Sequence, residues 1–436
     1  MKDTGNTGKL ASLALLLALS AGPLSGQTRD SGPGQDRAAE SEESALLLAE
    51  QAPLESENPR DWQLSMEAAF GESSQRYGPS RLQTQRLSLE LQIDRKLGKD
   101  WRAVLSDQLD QRWQRPVDDR TAINTLKEAY LSWQPQPSRA IDFGRINARY
   151  GVAFGYNPTD YFRSGANRSI VAIDPDSLKR NRQGSVMLRG QTLWNGGSLT
   201  AVASPHLGDK PDDAAFSFDV GATNRQDRWL VALSQQLTEN LNPQWLLFGD
   251  GQQSPQLGFN LTNVWGQATV AYVEWSGGRS ASQLAQALHG PDDSAFRSRL
   301  ATGLSYTSTN KLSLTAEYEF NGGAPSAAAW EALSQRAPLA YLQYRTWVQD
   351  KFDLPTRQSV FLYASWRDAM FNHFDLNAML RWNLDDHSRL AWLEARHHWE
   401  HIDVALQWQR QSGKPGSEFG AWQQQQTVQL LVRYFY

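Results

Sequence analysis

A histidine-rich cluster near the C-terminus is the first group of residues that could carry out chemistry. His397, Glu400 and His401 have the H-x-x-E-H spacing, which binds a catalytic zinc ion when a helix places both histidines on one face. Here the cluster ends an alternating polar and apolar segment and enters a short turn. Because the spacing depends on a helix, we expect neither a metal site nor catalytic residues here.

Other enzyme signatures are weak. Ser388 follows His387, but both residue types are too common for this proximity to indicate a catalytic pair. The sequence has no Gly-x-Ser-x-Gly motif, no phosphate-binding loop and no cysteine, so a thiol nucleophile and a disulfide framework are excluded. We expect no enzymatic activity and no cofactor, and a membrane-embedded hydrolase is the weakest alternative.

Residues 145–180 form the connection with the most binding chemistry. The segment is too long for a simple turn and combines five aromatic residues with arginines and aspartates. We expect it to fold inward and narrow a channel, although a surface cap is the alternative. Arginine forks suit carboxylates or sugar hydroxyls. The residues expected to contact a solute are Arg145, Tyr150, Tyr156, Asp160, Arg163 and Arg168 in this segment, and Glu128, Arg189, Glu317 and Arg381 elsewhere.

The elements that must position these residues show period-two alternation. One face of residues 312–320 carries Leu312, Leu314, Ala316, Tyr318 and Phe320, and the other carries Ser313, Thr315, Glu317 and Glu319. Similar runs occur near residues 87–94, 374–383 and 402–409, each about eight to ten residues long, near the length of a strand that crosses a bilayer at a tilt.

The final residues 428–436 also alternate, with an apolar face that ends in Tyr434 and Tyr436. The chain has 17 Trp, 13 Tyr and 16 Phe despite a mean hydropathy of -0.57. A membrane barrel explains both values, because every second residue faces lipid while the interior is polar. Tryptophans at strand ends are typical of interfacial girdles. A net charge of -4 without a basic block predicts no nucleic-acid partner.

Alternating short and long connections predict an all-β fold, a transmembrane antiparallel up-and-down barrel of about 18 strands, with 16 as the alternative. Long external connections are expected near residues 72–83, 114–122, 146–180, 207–227, 277–296, 322–355 and 411–423. The count of 18 requires residues 207–227 to form one external loop, so the weakly alternating residues 216–223 must belong to that loop or extend a strand. Inward positions carry both charge signs, which favours pairing between strands over a selective ring of one sign.

The N-terminus predicts export from the cytoplasm. Lys2 and Lys9 precede 12 apolar or small residues, 10–21, and a small-residue exit, which together resemble a secretory signal. We expect a signal peptide at residues 1–26, a flexible acidic periplasmic leader at 27–60 and the barrel at 61–436.

The barrel portion resembles Gram-negative outer-membrane porins at the level of the fold. The stretch GR…YG…NPTDYF, residues 144–162, loosely resembles segments of the alginate-export and related uncharacterised porin-like families. Inward faces that stay polar over the full length of the strands suit a hydrated interior. Together with the resemblance, they predict a bacterial outer-membrane channel for diffusion or export of a polar solute, either a polar small molecule or a polysaccharide, with carbohydrate as the candidate class. The other expected partners are outer-membrane lipid and, through the C-terminal strand, the outer-membrane assembly machinery. A structural or adhesion barrel occluded by its loops is the main alternative.

Overall fold

The structure is a computed structural model and describes residues 60–78, 80–116, 119–238 and 240–436. The expected signal peptide, and the leader up to residue 59, lie outside the described residues. The described chain forms one antiparallel sheet of 18 strands. The first strand pairs with the second and also with the last, which closes the sheet into a barrel. The expected fold and the count of 18 are confirmed.

The strands follow chain order around the barrel. Their bounds are β1 Trp62–Gln75, β2 Arg81–Lys96, β3 Trp101–Arg115, β4 Asp119–Gln136, β5 Arg139–Ile146, β6 Ser185–Trp194, β7 Gly197–Ser204, β8 Arg228–Gln235, β9 Leu241–Gly249, β10 Gln256–Trp265, β11 Thr269–Ser280, β12 Ala295–Thr307, β13 Leu312–Asn321, β14 Gln358–Trp366, β15 Phe374–Asn383, β16 Arg389–His398, β17 Ile402–Ser412 and β18 Gln424–Phe435.

The seam between β1 and β18 uses the C-terminal strand as the sequence predicts. Ala68 lies opposite Val432 in a continuous antiparallel ladder, and the rings of Trp62 and Tyr436 stack with centroids 5.5 Å apart. A closed ladder satisfies the backbone N–H and C=O groups that an open edge would expose to lipid.

The two faces of the strands differ as the alternation predicts. On β13, Leu314 faces outward and is half exposed, whereas Glu317 and Glu319 face the interior and are buried. The exposed outer surface is rich in aromatic and aliphatic side chains, which is the lipid-facing belt of a transmembrane barrel. No helix among the described residues is long and apolar enough to cross a membrane.

Five short helices occur in the described connections: α1 Pro175–Arg180, α2 Val220–Thr223, α3 Gln283–Leu288, α4 Ala327–Arg336 and α5 Pro338–Lys351. Residues 216–223 lie in the single connection between β7 and β8, as expected. The first two external connections were predicted too long. Strands β1 to β4 have 14 to 18 residues, so the ladder continues through positions assigned to loops.

The histidine cluster has strand and turn geometry, as expected. His397 and His398 end β16, and His401 precedes β17. The His398 ring lies 2.8 Å from Asp403 through Nδ1 and 3.3 Å from Asp375 through Nε2. These contacts connect neighbouring strands and give His398 a structural explanation.

Candidate functional site: the luminal loop

The connection between β5 and β6 crosses the barrel interior. We call residues 147–184 the luminal loop. It leaves the wall at Ile146, returns at Ser185, and contacts inward-facing side chains of β11 and β13. Counted around the barrel, β11 is the sixth strand from β5 and β13 is the eighth, and the ninth strand would lie directly opposite β5. The loop therefore spans most of the lumen.

Glu274 on β11 is the first anchor of the loop. Its carboxylate accepts the backbone N–H groups of Val152 at 2.9 Å, Ala153 at 3.0 Å and Thr159 at 2.7 Å. The Thr159 hydroxyl donates at 2.9 Å. Glu274 is fully buried, so its charge relies on these donors in place of water.

Glu317 on β13 is the second anchor. It accepts the backbone N–H groups of Phe154 at 2.8 Å, Gly155 at 3.2 Å and Tyr156 at 2.9 Å, and the Tyr272 hydroxyl at 2.8 Å. Three successive amides that converge on one carboxylate form a concave anion site in the loop backbone. The wall thus binds the loop through the backbone N–H groups of the loop.

Two glycines make this close approach possible. Gly151 has a φ of +105°, and an added Cβ would lie 2.6 Å from the Glu274 carboxylate. A Cβ on Gly155 would lie 2.4 Å from Glu319 and 2.6 Å from the Phe361 ring. A side chain at either position would displace the loop from its anchor.

Asp353, in the external connection after α5, holds the next part of the loop. It accepts the Tyr156 hydroxyl at 2.6 Å and lies 3.4 Å from Arg163 and 3.8 Å from Arg299. Burial alone would raise the pKa of the Asp353 carboxyl, but Arg299 and Arg163 hold that pKa below its ordinary value. The carboxylate therefore stays charged and keeps the loop fastened to the external connection.

Apolar packing fixes the loop on the other side of the barrel. Tyr150 and Phe162 are buried against Met187, Leu230 and Phe248, which face inward from β6, β8 and β9. An apolar inner wall would be unfavourable in an open aqueous pore. In this barrel the luminal loop covers it.

The structure brings four of the expected solute-contact residues together around Gly155. Glu317 binds the loop amides there, Arg381 donates to the Gly155 carbonyl at 2.9 Å, and Arg163 lies over the Tyr156 ring at 5.0 Å. All of these contacts are internal to the barrel and its loop. Solute contact by these residues stays a prediction.

The other expected residues lie apart from this group. Tyr150 belongs to the apolar packing, and Asp160 pairs with Arg182 at 2.6 Å. Glu128 accepts the Asn147 N–H at 3.1 Å, and Arg189 pairs with Asp142 at 2.8 Å. Arg145 at the end of β5 and Arg168 in the luminal loop direct their side chains toward the barrel wall, where they donate to backbone carbonyls of residues 212–218.

Sequence reasoning missed Glu274 and Asp353. Glu274 had a detectable signal, because it alternates with Val273 and Trp275 on a strand whose other face is apolar. Asp353 had none, since it lies in a long external connection and acts through residues distant in sequence.

A cavity of about 140 Å³ lies at the external mouth beside the loop. Its lining contains Asp160, Tyr161 and Arg163 from the loop, together with three glutamines of external connections, Gln226, Gln253 and Gln286, and Gln256 at the start of β10. The other charged lining residues are Arg225, Arg228, Asp250, Arg299, Lys351 and Asp353. The cavity is therefore polar and carries both charge signs.

The inner wall of β1, β2 and β18 is also polar. Arg86 pairs with Glu67 at 2.5 Å and lies 3.5 Å from Asp110, and Glu90 pairs with Arg433 at 2.6 Å. These residues bond one another across neighbouring strands, as expected for interior charges, and leave a hydrogen-bonding surface beside the loop.

Comparison with models of protein families finds no match, and no curated protein matches the chain. Solved outer-membrane porins are similar in fold. OccK2 (OpdF) of Pseudomonas aeruginosa has a TM-score of 0.53 at 12% identity, covering 86% of this chain and 97% of that chain. OccK7 (OpdD) of Pseudomonas aeruginosa has a TM-score of 0.53 at 10% identity, covering 86% of this chain and 98% of that chain. OccAB4 of Acinetobacter baumannii has a TM-score of 0.51 at 9% identity, covering 86% of this chain and 97% of that chain.

At these identities the likeness concerns the fold alone. It confirms the porin-like barrel, while the narrower resemblance to alginate-export families is not shown by these structures. A closed antiparallel barrel with an apolar outer belt is the architecture of bacterial outer-membrane proteins, and the outer membrane is where this chain belongs.

Proposed function

We propose that the chain is an outer-membrane channel for diffusion or export of small polar solutes, and that the luminal loop sets the width of the pore. The observation that carries this proposal is the binding of loop backbone N–H groups by Glu274 and Glu317 across the lumen. A segment anchored in this way keeps a fixed position, so it can define a passage of constant width.

A polar solute fits the surfaces on either side of the loop. The mouth cavity contains four glutamines and charged groups of both signs, and the wall of β1, β2 and β18 carries paired charges. Such surfaces exchange hydrogen bonds with hydroxyl-rich or zwitterionic molecules at low cost in desolvation. Carbohydrates belong to this class, and Asp160 and Arg163 are the predicted contact residues that line the mouth.

The C-terminal strand supports an interaction with the outer-membrane assembly machinery. Residues 428–435 present Val428, Leu430 and Tyr434 outward and form the closing seam with β1. This strand has to pair last with the first strand, so before closure its edge is free to be bound by an assembly factor.

Purified full-length protein in a planar lipid bilayer tests the channel proposal. We expect stepwise single-channel currents. In a salt gradient without sugar, we expect only a small shift of the reversal potential, because the interior charges are paired. A correctly folded barrel that gives no current would contradict the proposal and favour the occluded structural barrel. Liposome swelling in neutral sugars of increasing size then measures the passage of carbohydrates directly.

A further inference from the structure

The barrel wall has a gap in its strand pairing on the external side of β5, beyond the end of this strand at Ile146. Strands β5, β7 and β8 have 8 residues each, whereas a tilted strand needs about 9–11 residues to cross a bilayer. The pairing of β4 with β5 ends at Ala129 and Arg145. Strand β4 extends past this point through residues 119–128. These residues have no partner on β5, because the chain after Ile146 turns into the lumen.

A segment of the connection between β7 and β8 covers this gap. We call residues 211–219 the wall panel. The backbone N–H of Asn124 on β4 donates to the Ala215 carbonyl of the panel at 2.7 Å. This bond occupies the side of β4 on which β5 would otherwise continue. The panel therefore takes the place of the missing strand segment.

Side chains hold the panel where a strand ladder would otherwise do so. Arg168 of the luminal loop donates to the Asn124 carbonyl at 3.0 Å and the Asp212 carbonyl at 2.6 Å, and it pairs with Asp219 at 2.9 Å. Arg145 donates to the Phe218 carbonyl. The Arg168 and Asp219 side chains are buried, so this ion pair is shielded from water and from salt.

The outer surface of the panel is apolar at Phe216 and Phe218, whereas Asp212 and Asp213 near its start are exposed carboxylates. Phe216 and Phe218 are 70% and 67% exposed and alternate with the less exposed Ala215 and Ser217. Outward-facing residues of the neighbouring strands, such as Phe143 on β5, are exposed in the same way. Two adjacent exposed phenylalanines would be unfavourable in water, and here they continue the apolar belt of the wall.

We propose that the wall panel is part of the transmembrane surface, with Phe216 and Phe218 in contact with lipid acyl chains and Arg168 acting as the clamp that holds the panel to the luminal loop. The occupant of this apolar face is lipid, because the face is continuous with the lipid-facing belt. The inference concerns how the wall closes and does not depend on transport.

Spin labels can test this directly because the sequence contains no native cysteine. Single variants Phe216→Cys, Ser217→Cys and Phe218→Cys of the full chain are labelled and reconstituted in liposomes. Accessibility to oxygen reports lipid, and accessibility to a water-soluble nickel chelate reports solvent. Leu430→Cys on the belt and Gln252→Cys on an external connection serve as lipid and water references.

We expect labels at 216 and 218 to behave like the label at 430, and the label at 217 to show lower accessibility to oxygen. Nickel accessibility at 216 and 218 similar to that at 252 would overturn the proposal and make the segment an ordinary external loop. Introducing Arg168→Ala into the labelled variants should abolish the preference of the labels at 216 and 218 for oxygen over the nickel chelate. An unchanged preference would overturn the role of Arg168 as the clamp.

Discussion

The carboxylate of Glu317 on β13 accepts the backbone N–H of Phe154 at 2.8 Å, although Phe154 belongs to a loop that leaves the wall at β5, eight strands away. The same carboxylate also binds the amides of Gly155 and Tyr156. A wall side chain that binds the backbone of a loop fixes its path and leaves the loop side chains available for other contacts. This bond is the structural basis for treating the luminal loop as a rigid constriction.

Replacing the Glu317 anchor should loosen the loop. Glu317→Gln removes the charge and one acceptor oxygen, and each hydrogen bond to a charged group contributes about 1.5–3 kcal/mol. We expect larger and noisier single-channel currents from a barrel that still assembles. Glu67→Gln is the matched control, since Glu67 faces the lumen but pairs with Arg86 on the neighbouring strand. Equal currents from the two variants would show that Glu317 does not hold the loop.

Gly155 should tolerate no side chain. In Gly155→Ala the new Cβ meets Glu319 and Phe361, so the loop has to move at a cost of about 1–3 kcal/mol for an overpacked site. We expect faster backbone hydrogen exchange in residues 152–159 and altered conductance. Gly190→Ala on β6 is the control, because its Cβ would meet nothing within 4 Å. Unchanged exchange in Gly155→Ala would show that this contact is not tight.

The face assignment predicts opposite outcomes for two arginine substitutions on β2. Leu89 is outward-facing and exposed to lipid, so Leu89→Arg should destabilise the barrel by about 2–4 kcal/mol if the site lies near the bilayer midplane. Gln92→Arg places the same charge in the lumen and should be nearly neutral. Urea titrations of the folded form, read by heat-modifiable electrophoretic migration, compare the two. Equal destabilisation would contradict the assigned faces.

Glu418 should make the last external connection sensitive to pH. Burial raises the pKa of its carboxyl from 4.5 to about 7, against a hydrogen bond from Asn383 that favours the charged form. A raised folded-state pKa gives stability that is fully present below the ordinary value and is lost as pH rises through about 7. Hydrogen exchange in residues 413–423, corrected for intrinsic rates, should therefore be faster at high pH. Glu418→Gln should remove the difference, and the opposite slope would contradict this explanation.

The fold was predictable because its signals are local. Alternation such as that around Leu314 and Glu317 fixes which face of a strand meets lipid, and turn residues separate the strands. The inward path of the loop was also predicted, from its length and its aromatic residues. The long strands β1 to β4 were shortened in the prediction because polar residues at their external ends resemble loop sequence.

The binding partners of the loop were not predictable, because they depend on long-range contacts. Nothing near Glu274 in the sequence indicates that residues 152–159 will reach it. Arg145 and Arg168 were expected to contact a solute because they belong to the aromatic segment 145–180 and their side chains suit carboxylates or sugar hydroxyls. Their side chains bind the wall instead, because β5 ends early and leaves the β4 backbone without a strand partner there. The sequence alternation does not show which strand will be short.

The most direct test of the constriction is to replace residues 151–169 with a short Gly/Ser linker and to measure single-channel conductance in a planar bilayer. Arg168→Ala alone serves as the control, since it removes only the clamp on the wall panel. We predict a several-fold increase in conductance for the replacement and a much smaller change for the control. An unchanged conductance in a properly assembled replacement would show that the luminal loop does not set the width of the pore.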